Sequence, residues 1–118
     1  MTLMARTVAY SGSQTCTPGT DHALQTWDAP TGGATYALLV DANALANGET
    51  LYGYVERKTR ASDTRRELFR IGLAAHAGSA VVETPYFGAA AGVELRVGIR
   101  QEGGTGRAIP WAIERVDG

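Results

Sequence analysis

The chain has 118 residues, 44% of them hydrophobic and 19% charged, with a formal net charge of −1. That length and balance describe one globular domain with apolar mass enough for its own core, and they exclude a disordered tail or a strongly basic nucleic-acid binder. The lone cysteine, Cys16, excludes an intrachain disulfide and a zinc knuckle, and no apolar run approaches the ~20 residues of a membrane span.

Met1 to Arg6 lacks the apolar run of a signal peptide, so synthesis in a reducing cytoplasm is the expectation. Arg6 to Thr17 and His22 to Asp28 are strand candidates with broken alternation. The first of them belongs to a Ser-, Thr- and Gly-rich arm, residues 1–20, that either pairs as an edge strand or reaches out to a neighbouring subunit. Residues 21–118 are then the body of a single domain. Tyr36, Leu38 and Val40 share a face; Asp41 to Ala46 has room for one helical turn, stopped by Asn47-Gly48. In Leu51 to Lys58, Tyr52 and Tyr54 take one face and Leu51, Gly53 and Val55 the other. Ala61-Ser62-Asp63 turns the chain into a partner strand on which Phe69, Ile71 and Leu73 align. Ser79 to Phe87 adds a run that Pro85 confines to an edge or a strand end.

The cleanest alternation comes last. Val93, Leu95, Val97 and Ile99 interleave with Glu94, Arg96, Gly98 and Arg100, and after a Gly-rich connection Ile109, Trp111 and Ile113 continue the pattern. These seven apolar residues are the expected core. About seven or eight short strands with frequent turn signals predict an all-β fold, an antiparallel β-sandwich or jelly-roll.

Residue types that carry catalysis are sparse. His22 and His76 lie far apart in sequence, and Asp21 and His22, as neighbours on a strand, point to opposite faces. Gly103-Gly104-Thr105-Gly106-Arg107 lacks the Lys-Ser/Thr and the helix of a phosphate-binding loop, and reads as a hairpin connection. The glutamates sit in the polar phase of strands beside arginines, as solvated cross-strand pairs do. No catalytic residue, cofactor site or metal site is expected.

Two surface features stand out. Arg57, Lys58, Arg60, Arg65, Arg66 and Arg70 place six of eleven positive charges on one hairpin. They read either as a solvated arm or as a docking arm for an acidic protein surface; nucleic acid would call for a broader excess of charge. Trp27, Trp111, Tyr52, Tyr54 and Tyr86 offer a carbohydrate platform if their rings share a face, with Trp111 expected in the core and Trp27 exposed.

The stretch Tyr36 to Leu51, together with Gly104-Thr105-Gly106-Arg107 and the aromatic strand to Ile113, resembles short virion structural proteins of tailed phages and prophages. Some of these resemble capsid decoration, or cement, proteins. The likeness covers about Tyr36 to Val116 and brings no catalytic residue with it. It implies a place on the capsid surface of a virion assembled in the host bacterial cytoplasm, with the major capsid protein as partner. It also implies self-association, a trimer being one arrangement, and contact with neither nucleic acid nor membrane. A tail or head–tail connector component is the alternative within that class; a carbohydrate-binding module at a tail tip is the alternative outside it.

Overall fold

The structure, a computed structural model, describes residues 5–74 and 81–117. Among these residues there are nine strands and no helix: β1 (Ala5–Thr15), β2 (Asp21–Asp28), β3 (Ala34–Asp41), β4 (Thr50–Arg57), β5 (Arg66–Ala74), β6 (Val81–Glu83), β7 (Phe87–Ala89), β8 (Glu94–Glu102) and β9 (Ala108–Asp117). They form two antiparallel sheets. One runs β1-β9-β3-β6, with β7 also on β3, and the other runs β2-β8-β4-β5.

The pairing is nested. β1 pairs β9, β2 pairs β8, β3 pairs β6 and β7, and β4 pairs β5, as in one long hairpin folded at its middle. Further pairing of β9 with β3 and of β8 with β4 rolls that hairpin into two facing layers. This is the jelly-roll form of a β-sandwich. The strand expected around Pro85 is split into β6 and β7. At the break, the Thr84 hydroxyl accepts from the Leu38 amide at 3.1 Å and the Thr84 amide donates to the Leu38 carbonyl at 2.9 Å, so β3 loses no partner there. Asp41 to Ala46 makes no helical turn. The Asp41 carboxylate accepts from the Asn43 amide at 3.0 Å, and a tight turn closes from Leu45 to Ala42.

The core lies between the sheets, with Leu38, Val40, Leu51, Val55, Val93, Leu95, Val97, Ile99, Ile109 and Ile113 all buried. Six of the seven expected core residues are there. The seventh, Trp111, is only half-buried, and Trp27, expected at the surface, is buried instead. Both corrections have local causes. A bulge between Ala23 and Gln25 shifts the phase of β2, so Trp27 comes opposite Leu95 and turns inward. Trp111 stands opposite Gly12 of edge strand β1, and with no side chain there to cover it, its indole stays partly in solvent. Trp27 then sits between Tyr10 (centroids 5.2 Å apart) and Tyr36 (5.0 Å, edge-on), and Tyr36, Phe87 and Phe69 continue an aromatic row across both sheets.

The N-terminal arm is part of the sandwich over Ala5–Thr15, where it is an eleven-residue edge strand. Met1 to Met4, His76 and the start of the run at Ser79 lie outside the described residues.

Candidate functional site

The β4–β5 hairpin carries all six of the basic residues singled out above, and the fold sends them in different directions. Arg57, at the end of β4, donates from Nη1 to the Gly88 carbonyl at 2.8 Å and so reaches across to β7 in the other sheet. Arg60 forms a bidentate pair with Asp63 inside the connecting turn, at 2.9 and 3.0 Å. Arg65 bonds Glu94 of β8 and lies 3.8 Å from Glu56. Arg70 grips Asp21 of β2 with two bonds of 2.9 Å and also holds Glu67. Lys58 and Arg66 have no ion pair among the described residues. The sequence concentrates six charges; among the described residues the structure leaves Arg57, Lys58 and Arg66 without a carboxylate, holds Arg57 on backbone carbonyls, and spends Arg60, Arg65 and Arg70 on ion pairs within the chain.

Arg70 also tops a stack. Its guanidinium lies 4.7 Å from the centroid of Tyr54, and Tyr54 lies over Gly98, directly opposite it on β8. A Cβ at position 98 would collide with the Tyr54 ring and come within 2.5 Å of the His22 carbonyl, so this place takes only glycine. Burial pushes the Tyr54 hydroxyl up to about 12. The Arg70 hydrogen bonds hold the Asp21 carboxyl below its ordinary value, and Arg65 does the same for Glu94. Arg100, bonded to Glu102 and 3.4 Å from Asp21, and Arg96, bonded to Thr26 at 3.0 Å, complete a charged lattice over the outer face of this sheet.

At one end of the sandwich a second cluster was not apparent from sequence. Glu49, only 2% exposed, accepts from the Ala46 amide (2.8 Å), the Thr105 amide (3.0 Å) and both Nε and Nη2 of Arg107 (2.8 and 2.9 Å). These bonds, the Arg107 pair foremost, hold its carboxyl at about 2. Gln101, fully buried, donates to the Gly103 and Thr105 carbonyls and accepts from the Arg107 amide. The Gly-rich segment is thus the hairpin connection expected, and it is also fastened to the turn after β3. Its positive-φ residues, Gly103 and Gly104, let the backbone wrap these two side chains. The partners lie 58 residues apart, so no local pattern announces them. The signal available was an acid and an arginine, each flanking a turn.

Among the described residues, neither a nucleophile nor a sugar platform comes together. Burial raises the Cys16 thiol, away from the reactive thiolate. His22 accepts from the Thr17 amide at 2.9 Å and contacts Gln14 at 3.2 Å, securing the β1–β2 turn, while neighbouring Asp21 faces outward to Arg70. Among the described residues, no three His, Cys, Asp or Glu side chains cluster as metal ligands would. Of the five aromatic residues that would make a platform, Trp27 is inside, Tyr54 lies under Arg70, Tyr52 stands opposite Arg100, Trp111 covers Gly12, and Tyr86 packs with Arg6 at 5.8 Å.

The outer face of the other sheet is chemically plainer. Register places Val8, Ser11 and Ser13 of β1 beside Glu114, Ala112 and Pro110 of β9, and Ala112 beside Leu39 of β3. Arg6 bridges Glu114 (2.8 Å) and Glu83 (2.7 Å) on this face, and Asp41 stands at the end of β3 two residues from Leu39. Val8, Val81 and Tyr86 are each at least half exposed.

No family model matches the chain, and no curated protein matches it. Solved structures do. A chain in the structure of infectious bursal disease virus, Gx strain, superposes with a TM-score of 0.52 and 13% identity over 97% of this chain and 31% of its own length. The likeness is one of fold. A chain from the Gt strain of the same virus gives 0.48 and 15%, over 97% of this chain and 32% of that one. The domain therefore spans about a third of the length of the viral chains it is similar to.

Proposed function

We propose that the domain is a virion structural protein of a tailed phage, and within the particle a capsid decoration protein that binds the major capsid protein. The nested jelly-roll carries this reading, because the same architecture recurs, at 13% identity, in a chain of a virus structure. The resemblance of Tyr36 to Leu51 and of the Gly104 to Ile113 segment to phage virion proteins supports it independently. The site chemistry fits a structural rather than a catalytic role: the polar side chains with the most contacts, Glu49, Gln101 and Arg70, bind other parts of the same chain.

In this role the domain bridges adjacent capsid subunits and opposes outward pressure by adding contact area, and many copies on a lattice gain from multivalency. It assembles in the host cytoplasm and needs no cofactor, nucleic acid or membrane. Lys58 and Arg66, two hairpin cations without an ion pair among the described residues, together with Arg60, whose side chain is 79% exposed, steer the domain to an acidic capsid surface. Counting copies per purified particle tests the reading. Hundreds fit a capsid coat, about a dozen fit a head–tail connector, and a few fit a tail tip; either of the last two replaces decoration with that alternative.

A further inference from the structure

The four sheet edges are unequally protected. β6 and β7 are three residues each and are separated by Pro85; β5 carries Arg66, Glu67 and Arg70; and β2 is closed at both ends by Asp21 and Asp28. Short length, proline and charge are the devices that keep an edge from pairing with another chain. β1 has none of them beyond Arg6. Thr7 to Thr15 is nine residues without a charge or a proline, paired on one side by β9 and, among the described residues, by no strand on the other. Its bulge, between Val8 and Tyr10, leaves Tyr10 to Thr15 in regular extended form.

We infer that β1 is a self-association edge at which two copies of this chain join antiparallel across a two-fold axis, uniting their β1-β9-β3 sheets into one. The occupant is a second copy because the strand complements itself. An axis near Gly12, normal to the sheet, sets Ser11 opposite Ser13 of the partner subunit on the outer face and Tyr10 opposite Gln14 of the partner subunit on the inner one. No charge meets a like charge in this register, and the free amides and carbonyls of both edges are satisfied at once. An isologous joint of this kind closes as a pair and leaves no open edge to recruit a third chain. Val8, 60% exposed, lies beside the joint.

The joint belongs to the isolated chain, so its test is separate from the copy count that tests the virion reading. Sedimentation of the full chain should give a concentration-dependent mass approaching twice 12.4 kDa. Ser11→Lys with Ser13→Lys sets lysines opposite each other twice and should weaken the association at least tenfold. Leu68→Lys, on the β5 edge, should leave it unchanged. Hydrogen exchange on the unaltered protein needs no variant: protection of Tyr10 to Thr15 amides should rise with concentration while that of β5 amides stays constant. A single-chain mass at all concentrations, exchange in β1 indifferent to concentration, a double-lysine variant that still pairs, or dissociation by Leu68→Lys would each overturn the inference.

Discussion

The outer face of the β2-β8-β4-β5 sheet sets Arg65, Arg70, Arg96 and Arg100 among Asp21, Glu67, Glu94 and Glu102, whereas the outer face of the β1-β9-β3-β6 sheet carries Val8, Ser11, Ser13, Leu39, Pro110 and Ala112 around the group of Arg6, Glu83 and Glu114, with Asp41 at the end of β3. Both faces meet water. The first does so with long side chains that lock onto one another across strands, the second with short ones that lock onto nothing. Charge density in a sequence is therefore a poor guide to charge on offer: the arginine-rich sheet is largely spoken for internally, while the plain sheet, among the described residues, leaves the outer side of β1 without a strand partner.

Substitutions can break or sharpen that contrast, and the interior shared by both sheets sets the scale. Trp27→Ala removes the ring wedged between Tyr10 and Tyr36 and should cost ~3–5 kcal/mol in a denaturant titration, clearly more than Trp111→Ala at the half-buried position. Next comes the locked face: Gly98→Ala drives a methyl into Tyr54 and should cost ~2–3 kcal/mol, as overpacking does. Arg70→Ala should cost about 1 kcal/mol, the worth of part-exposed pairs plus a cation–π contact. On the plain face, Val8→Ser should move stability by less than ~0.5 kcal/mol. A loss at Val8 matching that at Arg70 would erase the distinction between the faces.

Acid offers a graded version of the same comparison. Asp21 is depressed below its ordinary 3.8, so the stability it lends is full above that value and is lost as pH falls through its lower folded value. Arg70→Ala should flatten this part of the acid profile. Glu49 titrates from an ordinary 4.5 down to about 2 in the folded chain, so its contribution is complete above pH 4.5 and fades toward pH 2. Glu49→Gln should remove the Glu49 share of the acid sensitivity between pH 4.5 and about 2 and loosen exchange protection around Thr105 and Arg107, while leaving the Asp21 share and the sheets intact.

Much of the architecture is legible in the residues, because strict alternation in Val93 to Arg100 and Ile109 to Ile113 leaves those strands one way to face. What escaped reading has a common cause. Bulges in β1 and β2 reset the period by one residue, so Tyr10 and Trp27 fall on the inner face although the flanking pattern puts them outside. The Glu49–Arg107 clasp and the dispersal of the six basic residues depend on which strands become neighbours, and that order is set by the rolled topology rather than by any window of sequence. Even the hairpin's charge, plain in composition, acquires its meaning only when β2 and β8 bring Asp21 and Glu94 alongside.

The register that sets Ala5 against Asp117 has a mechanical consequence. The start of β1 and the end of β9 leave the sandwich side by side at one corner. A load pulling these two ends apart meets the antiparallel ladder one rung at a time, as in opening a zipper, and not the whole strand in shear. Tension applied between Ala5 and Asp117 would strip β1 at low force, whereas force spread over the broad faces would press the layers together. A domain built this way bears load best across its sheets and least well along the β1–β9 ladder.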